Sequence, residues 1–170
     1  MKSVVIFLLV MMCVVSVNAQ QRSQKWYVAP SVDFASFTDG DAVFDAGLTF
    51  GRYLGFERGV RIDLCGDHYF LNRDVRIVST SLLATAESDI FGSRRFFSTS
   101  SAGVGVLFPV SSGNVTESDF FDVLIPLRLG VGYRFPKFLS IGTEMSMSFN
   151  LGNFKARSIF STGIFLGVQF

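Results

Sequence analysis

The chain has 170 residues, of which 49% are hydrophobic, 17% are charged and 20 are phenylalanine. This length suits one domain, the apolar content excludes disorder, and a net charge of +1 gives no basic surface for nucleic acid. Mean hydropathy is high at +0.41, yet beyond the N-terminus no apolar run reaches the roughly 20 residues of a membrane helix.

The N-terminal segment has the three parts of a secretory signal peptide. Lys2 supplies a positive charge, residues 4–15 form an apolar core, and Val17-Asn18-Ala19 fits a small-residue cleavage site. An uncleaved anchor is the alternative, which the short core and the polar residues after it disfavour. We therefore expect cleavage between Ala19 and Gln20, which gives a signal peptide at 1–19 and a mature domain at 20–170.

The cysteines predict neither a disulfide nor a metal site. Cys13 lies in the signal peptide, so the mature chain would keep Cys65 alone. Cys65 and the single His68 are too few ligands for a tetrahedral zinc ion. No cofactor or metal is expected.

After residue 26, apolar side chains recur at every second position, which is the period of a β-strand with two unlike faces. Residues 75–86 are β-branched and apolar without a fixed phase, and they supply a further strand. Each segment is about long enough for the 9–11 residues with which a tilted strand crosses a bilayer. The alternating segments, in chain order, are 27–34, 44–51, 57–64, 101–108, 122–135, 139–151 and 160–170.

The composition of the two faces predicts that the apolar face meets lipid. The opposite face is mostly Gly, Ser, Thr and Asn, and the whole chain has only four Lys and four Glu, whereas a solvated strand face would carry many of both. Small residues with a few charges suit the crowded lumen of an eight-stranded barrel. Aromatic residues near strand ends are typical of interfacial girdles: Trp26, Tyr27, Tyr53, Phe56, Phe96, Phe97, Phe120, Phe121, Tyr133, Phe135, Phe138, Phe149 and Phe154.

The connections support an up-and-down topology with long loops at one end. Tight turns are expected at 52–55 and 135–138, and residues 87–95 are an exception because they are too long for a turn at the short end. The longer connections are expected at 36–41, 66–74, 109–121 and 150–157.

The sequence Gly130-Val131-Gly132-Tyr133-Arg134-Phe135, the Ala-Gln signal end, eight amphipathic strands and a terminal Phe resemble the small outer-membrane β-barrel domain family common in Bacteroidota, an OmpA/OmpX-like transmembrane barrel. The resemblance implies an all-β, eight-stranded antiparallel up-and-down barrel in outer-membrane lipid. It also implies that the barrel-assembly machinery reads the last strand, through Ile164, Leu166, Val168 and Phe170. No peptidoglycan-binding domain follows, so anchoring by that route is not supported.

Several charged residues fall on the lumen face, where an unpaired charge is costly, so they should form a network. Hairpin parity predicts Arg128–Glu144 and Asp45–Arg61 contacts. The network is interpreted as structural plugging, with a narrow polar conduit as the alternative. Its predicted members are Asp33, Asp45, Glu57, Arg61, Asp63, Arg128, Arg134 and Glu144.

These features favour an outer-membrane barrel with a plugged lumen and a non-enzymatic structural or surface role in adhesion or envelope interaction, whose loop partner is unknown. A lipid-modifying enzyme in the barrel is the first alternative, with His68 and the adjacent Asp67, but no motif places a serine beside them. A soluble lipocalin-like carrier of apolar ligands is the second.

Overall fold

The computed structural model describes residues 26–38, 42–54, 59–70, 75–111, 122–136, 138–152 and 158–170. The expected signal peptide, with its Ala19–Gln20 cleavage site, and Glu57 lie outside these residues.

Eight antiparallel strands close into one barrel, and each strand pairs with the next along the chain. Pairing of β1 with β8 completes the ring, where Trp26 and Phe170 exchange backbone hydrogen bonds of 2.8 and 3.0 Å. The predicted eight-stranded antiparallel up-and-down barrel is therefore confirmed. The strands are β1 (Trp26–Phe37), β2 (Ala42–Tyr53), β3 (Val60–Phe70), β4 (Val75–Ile90), β5 (Ser93–Ser111), β6 (Asp122–Arg134), β7 (Leu139–Asn150) and β8 (Ser158–Gln169).

The two ends of the barrel differ in their connections. One end, here called the turn end, carries Trp26, Phe170 and the connections 54–59, 91–92 and 135–138. The other, here called the loop end, carries 38–41, 71–74, 112–121 and 151–157, which include the two longest connections. The predicted connection at 66–74 is shorter than expected, because β3 continues to Phe70.

Side chains alternate between the lumen and the outer surface along the barrel wall, and among the described strand pairs the register is irregular only near the β4–β5 turn, between Asp89 and Ile90. Inward-facing positions are odd-numbered in β1–β5 and β8 and even-numbered in β6 and β7, which matches the phases expected from the apolar alternation. The phase of β4, which its own sequence did not fix, is set by the buried side chains of Ile77, Leu83 and Thr85.

The β4–β5 connection corrects a prediction. Residues 87–95 are not a long loop, because β4 runs to Ile90, β5 begins at Ser93, and only Phe91 and Gly92 join them. Both have positive φ, 56° and 64°, which is the backbone of a type I′ hairpin turn. The hairpin also projects past its neighbours at the turn end, since pairing with β3 stops at Ala86 and pairing with β6 stops at Phe96.

The outer surface is an apolar belt that every strand supplies. Within the described strands, no Asp or Glu occupies an outward-facing position. The belt closes around the whole ring because its members are neighbours across the strand pairs. One exposed apolar side chain from each strand, in order, is Val32, Leu48, Leu64, Leu82, Val104, Leu129, Met145 and Ile164.

Aromatic rings border this belt at both ends. Toward the loop end, the ring of Phe44 lies 6.0 Å from those of Phe34 and Phe70. At the turn end, the ring of Tyr133 lies 5.1 Å from those of Phe96 and Phe135.

Three of the aromatic residues predicted to lie in these girdles do not. Tyr27, Tyr53 and Phe97 are buried in the lumen, because their odd-numbered positions in β1, β2 and β5 point inward. Four others lie outside the described residues: Phe56, Phe120, Phe121 and Phe154.

Apolar clusters occupy the lumen near both ends. The turn-end cluster is Tyr27, Ala29, Tyr53, Phe97 and Phe165. The loop-end cluster is Ala35, Phe37, Val43, Tyr69, Ile77, Leu107, Leu124 and Ile159. Among the described residues, no helix is long and apolar enough to cross a bilayer.

Candidate functional site

The lumen gathers most of the charged side chains that the sequence placed there. Glu57 alone among the predicted members lies outside the described residues. Asp67 and Glu87 also point inward, and the sequence analysis missed them because it assigned 66–74 and 87–95 to connections. The predicted members that face the lumen are Asp33, Asp45, Arg61, Asp63, Arg128, Arg134 and Glu144.

In the half of the lumen nearer the turn end, two arginines meet at Glu87. Arg61 Nη1 lies 3.0 Å from Glu87 Oε2, and Arg134 Nη2 lies 2.7 Å from Glu87 Oε1. Arg61 also donates from Nε to both oxygens of Asp63, at 2.7 and 2.8 Å. Arg134 reaches a second carboxylate through its Nη1, 2.6 Å from Asp89 Oδ1. The result is a chain of alternating charges on β3, β4 and β6.

Neutral hydroxyl and amide groups extend this network. The Tyr53 hydroxyl donates to Glu87 Oε2 at 3.1 Å and accepts from Gln169 Nε2 at 2.9 Å. Thr85 donates to Asp63 Oδ2 at 2.6 Å. Buried polar groups are costly unless they are hydrogen-bonded, so these contacts stabilise the packing of the polar side chains in the lumen.

The same two guanidinium groups lie over aromatic rings of the turn-end cluster. Arg61 Cζ is 4.0 Å from the centre of the Tyr27 ring, and Arg134 Cζ is 4.4 Å from the centre of the Phe97 ring. These distances are within the range of a cation–π interaction, which is stronger when the cation is desolvated. The rings therefore hold the cations from one side while the carboxylates bind them from the other.

A second network lies toward the loop end and is centred on Arg128. Its Nη2 is 2.7 Å from Asp67 Oδ2 and its Nη1 is 3.6 Å from Glu144 Oε1. Ser79 donates to the same Asp67 oxygen at 3.0 Å. Arg128 therefore links β6 both to β7 beside it and to β3 across the lumen.

Two further carboxylates near Arg128 bind neutral donors. Asp33 Oδ2 accepts from the Ser31 hydroxyl at 3.0 Å, and Asp45 Oδ1 accepts from the backbone N–H of His68 at 3.1 Å. No salt bridge joins either of them to an Arg or Lys in the described part of the chain. Around Arg128, carboxyl groups therefore outnumber guanidinium groups.

One of the two predicted ion pairs is present and the other was wrong. The Arg128–Glu144 contact follows from the register of β6 and β7, in which Gly130 faces Glu144. The Asp45–Arg61 contact is not formed, because β2 extends to Tyr53 and Leu54 N donates to Val60 O. This wider turn places Arg61 opposite Tyr53 and Asp45 opposite Tyr69, several residues from the expected register.

Glycines on β2 make room for the lumen carboxylates. A Cβ at Gly51 would contact the Asp63 carboxylate and Arg61, and a Cβ at Gly47 would contact Ser31 and Asp67. Side chains from β3 therefore lean over the glycine positions of β2. The small residues of the polar face are what allow the ion pairs to fit in so narrow a barrel.

Side chains fill much of the described lumen. Between the networks lies a cavity of about 20 Å³, which Arg61, Asp63, Cys65, Arg128 and Glu144 help to line. That volume holds about one water molecule. Apolar clusters lie near both ends of the lumen, and charged side chains lie between them.

His68 and Cys65 have separate surroundings on β3. His68 faces outward, and its ring stacks on Phe70 with centres 4.4 Å apart. Asp67, the adjacent acid, faces the lumen. Cys65 is buried in the lumen with its Sγ 3.4 Å from Thr49 Oγ1. Among the described residues, no group of three or more His, Cys, Asp or Glu side chains could hold a metal ion.

The residues proposed as the assembly signal lie on the outward face of β8. Ile164 is exposed, Leu166 is half-buried, and Val168 is buried against its neighbours. Phe170 follows the strand and pairs with Trp26 through the backbone.

No family model matches the sequence, and no curated protein matches it. Solved structures do match it, at low sequence identity. Neisserial surface protein A is 13% identical, with a TM-score of 0.63 over 88% of this chain and 98% of that chain. Ail, the attachment invasion locus protein of Yersinia pestis, is 9% identical, with a TM-score of 0.58 over 86% and 97%.

A third structure with the same fold is the outer membrane enzyme PagL, which is 16% identical. Its TM-score is 0.53 over 84% of this chain and 99% of that chain. One barrel architecture thus serves proteins whose names indicate different functions. The chain has the fold of a small outer-membrane β-barrel.

Proposed function

We propose that this protein is an integral outer-membrane barrel with a plugged lumen and a non-enzymatic role at the cell surface, in adhesion or envelope interaction. The observation that carries the proposal is the apolar belt, which all eight strands supply and which contains no outward-facing acid in the described strands. Exposed apolar surface on this scale is unfavourable in water and is what a bilayer requires.

The height of the belt supports a transmembrane position. Trp26 and Phe34 mark its two aromatic borders on β1. At about 3.3 Å per residue and a tilt of about 40°, they are separated by roughly 20 Å along the barrel axis. An outer-membrane barrel has an apolar band of about 25 Å, which these borders approach.

The interior supports a structural rather than a transporting role. Arg61, Arg128 and Arg134 are buried and bound to carboxylates in the lumen. A transport path would have to break these ion pairs, each of which leaves a costly buried charge when one partner is removed. We therefore propose that the barrel acts as a rigid scaffold for the loop-end connections.

The position of His68 supports a non-enzymatic role. A catalytic histidine needs a nucleophile within reach and an acid that orients its ring. Asp67 points into the lumen while His68 points outward, so the two cannot act together. His68 contacts Phe70 at the loop-end aromatic border instead. Conversion of lipid substrate by the wild type and loss of that activity in His68→Ala would refute this part of the proposal.

Fractionation tests the location. The protein should remain in the washed outer-membrane fraction, and its folded band should migrate differently from the boiled band on a gel. Its mature mass should correspond to a chain that begins at Gln20. Recovery in the soluble periplasm would contradict the proposal and favour the lipocalin-like alternative.

Loop replacement tests the surface role. The longest connection, 112–121, would be replaced by a short Gly-Ser linker, and the connection 151–157 would be replaced in a matched second variant. Expressed in a non-adherent Gram-negative host, the wild type should increase binding of cells to host-cell or matrix surfaces. At least one replacement should abolish that increase while the heat-shifted band remains. An unchanged level of attachment in both variants would contradict adhesion through these loops.

A further inference from the structure

The projecting β4–β5 hairpin carries a feature that barrel closure does not explain. Phe91, at the first position of its two-residue turn, has a positive φ and is 90% exposed. Type I′ turns favour Asn, Asp or Gly at this position, because larger side chains are strained in the left-handed region. A large apolar side chain therefore occupies the tip of the hairpin at a conformational cost.

Phe91 is continuous with the turn-end aromatic border. Its ring lies 6.4 Å from Phe96 in an edge-to-face arrangement, and Phe96 lies 5.1 Å from Tyr133. Phe96 and Tyr133 face outward at the edge of the apolar belt. The tip of the hairpin is therefore on the lipid side of the rim, at the level where lipid headgroups meet the barrel.

Two arginines follow this tip. The side chain of Arg95 donates from Nη1 to the Tyr133 hydroxyl at 3.3 Å. Arg94 is exposed, and its backbone carbonyl accepts from Arg134 Nη1 at 2.7 Å. Arg134 is already bound to Glu87 and Asp89, whereas no salt bridge joins Arg94 or Arg95 to a carboxylate among the described residues. On this hairpin, Arg94 and Arg95 therefore carry positive charge that no carboxylate among the described residues binds.

A cavity of about 230 Å³ lies between this hairpin and the β6–β7 turn. Its described lining has three guanidinium groups and no carboxylate. The rest of the described lining is mainly apolar. The lining residues are Arg94, Arg95, Arg134, Phe135, Pro136, Phe138, Leu139 and Gln169.

We propose that this cavity binds the phosphate of an anionic phospholipid in the leaflet at the turn end, which rests on the proposed membrane location. Arg94 and Arg95 bind the phosphate oxygens, because guanidinium groups match phosphate geometry and charge. Phe135, which lines the cavity, contacts the glycerol, and Phe91, which lies outside the lining at the tip of the same hairpin, contacts the upper acyl chain. The cavity holds a headgroup rather than a whole lipid. Phe135, which lines it and contacts Tyr133 of the turn-end aromatic border, favours a membrane lipid over a soluble anion.

Lipid titration of the folded barrel tests the proposal. Purified barrel in neutral detergent would be titrated with phosphatidylglycerol or phosphatidylcholine, and bound lipid would be counted by native mass spectrometry. Phosphatidylglycerol should bind preferentially, and Arg94→Gln or Arg95→Gln should weaken it about tenfold.

Arg52→Gln is the matched control. It removes the same charge at the turn end, but Arg52 lies on β2 over the Trp26 ring, away from the cavity. Its phosphatidylglycerol affinity should stay within about twofold of the wild type. An equal loss in the Arg52 and Arg94 variants, or no preference for phosphatidylglycerol, would overturn the proposal. Displacement of the lipid by millimolar inorganic phosphate would also overturn it, since the site would then bind a free anion.

Phe91→Asn separates binding from folding. Asparagine is favoured in this turn, so the variant should resist urea at least as well as the wild type, while its affinity for phosphatidylglycerol falls. Unchanged affinity in this variant would remove Phe91 from the site. If the barrel shows its heat-shifted band but binds no lipid selectively, the lipid-binding proposal is wrong and the proposed membrane location stands. If no folded barrel is found in the membrane, the proposed outer-membrane function is wrong, and the lipid-binding proposal that rests on it is wrong as well.

Discussion

Arg61 and Arg134 bind opposite oxygens of one buried carboxylate, that of Glu87, although they lie on β3 and β6. The two strands are not neighbours in the ring, so the carboxylate on β4 connects one wall of the barrel to the other. Together with Arg128, which reaches Asp67 across the lumen at 2.7 Å, this arrangement fixes the cross-section of the barrel from within.

Glu87→Gln should be strongly destabilising. A glutamine can accept from one arginine, but its amide N–H groups then face the other. The two buried guanidinium groups keep Asp63 and Asp89 but lose the one carboxylate that they share. The expected loss is about 3–5 kcal/mol of unfolding free energy, measured by urea titration of the folded barrel in lipid vesicles with Trp26 fluorescence.

Glu144→Gln is the matched control for that variant. Glu144 is also in the lumen, but its contact with Arg128 is longer, at 3.6 Å, and Arg128 keeps Asp67. Its loss should be only about 1 kcal/mol. Equal costs for the two variants would show that the shared carboxylate has no special role.

The position of an introduced outward-facing charge along the barrel axis should decide how much unfolding free energy the protein loses. Leu129 and Leu54 are comparably exposed, at 65% and 56%, but Leu129 lies in the middle of the belt and Leu54 lies at the turn end. Leu129→Arg should cost about 2–4 kcal/mol in vesicles and Leu54→Arg about 0–1 kcal/mol. Two equally tolerated substitutions would indicate that the belt faces water.

The Gly51 and Gly59 positions should respond oppositely to alanine. At Gly51 a Cβ meets the Asp63 carboxylate that Arg61 binds, whereas at Gly59 nothing lies within 4 Å. Gly51→Ala should lose about 1–3 kcal/mol of unfolding free energy, and Gly59→Ala should gain up to about 1 kcal/mol. A neutral Gly51→Ala in the same urea assay would contradict the close packing of β3 side chains over β2.

Cys65 should be inert to maleimide in the folded barrel, because it is 1% exposed in the lumen. It should react within minutes after unfolding in urea. The positive control is Gly59→Cys in a Cys65→Ser background, since that site is open at the turn end. Rapid labelling of Cys65 in the folded protein would mean that water and small solutes enter the lumen.

Planar bilayer recording extends that test to ions. The inserted wild type should show no sustained single-channel steps, because apolar clusters and ion pairs fill the lumen. An open porin recorded in the same bilayer is the control for insertion and detection. Reproducible steps in the wild type would favour the polar conduit over the plug.

Most strands and their faces could be predicted because an alternating strand needs only a local period of two. The faces of β4 could not, because its sequence does not alternate. The Arg128–Glu144 contact could be predicted as well. The β6–β7 turn is tight, so the paired residues follow from counting outward from the turn along each strand. The same reasoning failed for Asp45 and Arg61. The β2–β3 turn is wider than the sequence suggested. An error in the position of a turn shifts every residue pair predicted for that hairpin by the same amount.

The contacts across the lumen could not be predicted in this way. Arg128–Asp67 and Arg134–Glu87 join strands that are not adjacent, so they depend on the stagger of the whole closed ring. The inward position of Glu87 was also missed, because residues 87–95 look like a polar loop in the sequence. The strand in fact continues to a turn at Phe91 and Gly92, where a phenylalanine is unusual.

The β1–β8 pairing has a kinetic consequence. Seven of the eight strand pairs are hairpins between consecutive segments, but Trp26 must find Phe170 from the far side of the chain. Until it does, β1 and β8 expose unpaired N–H and C=O groups, which are templates for pairing with other chains. We therefore expect the pairing of the first strand with the last to be the slowest step of folding and the step most prone to aggregation. A folding factor that shields those two strand edges would have its largest effect at this step.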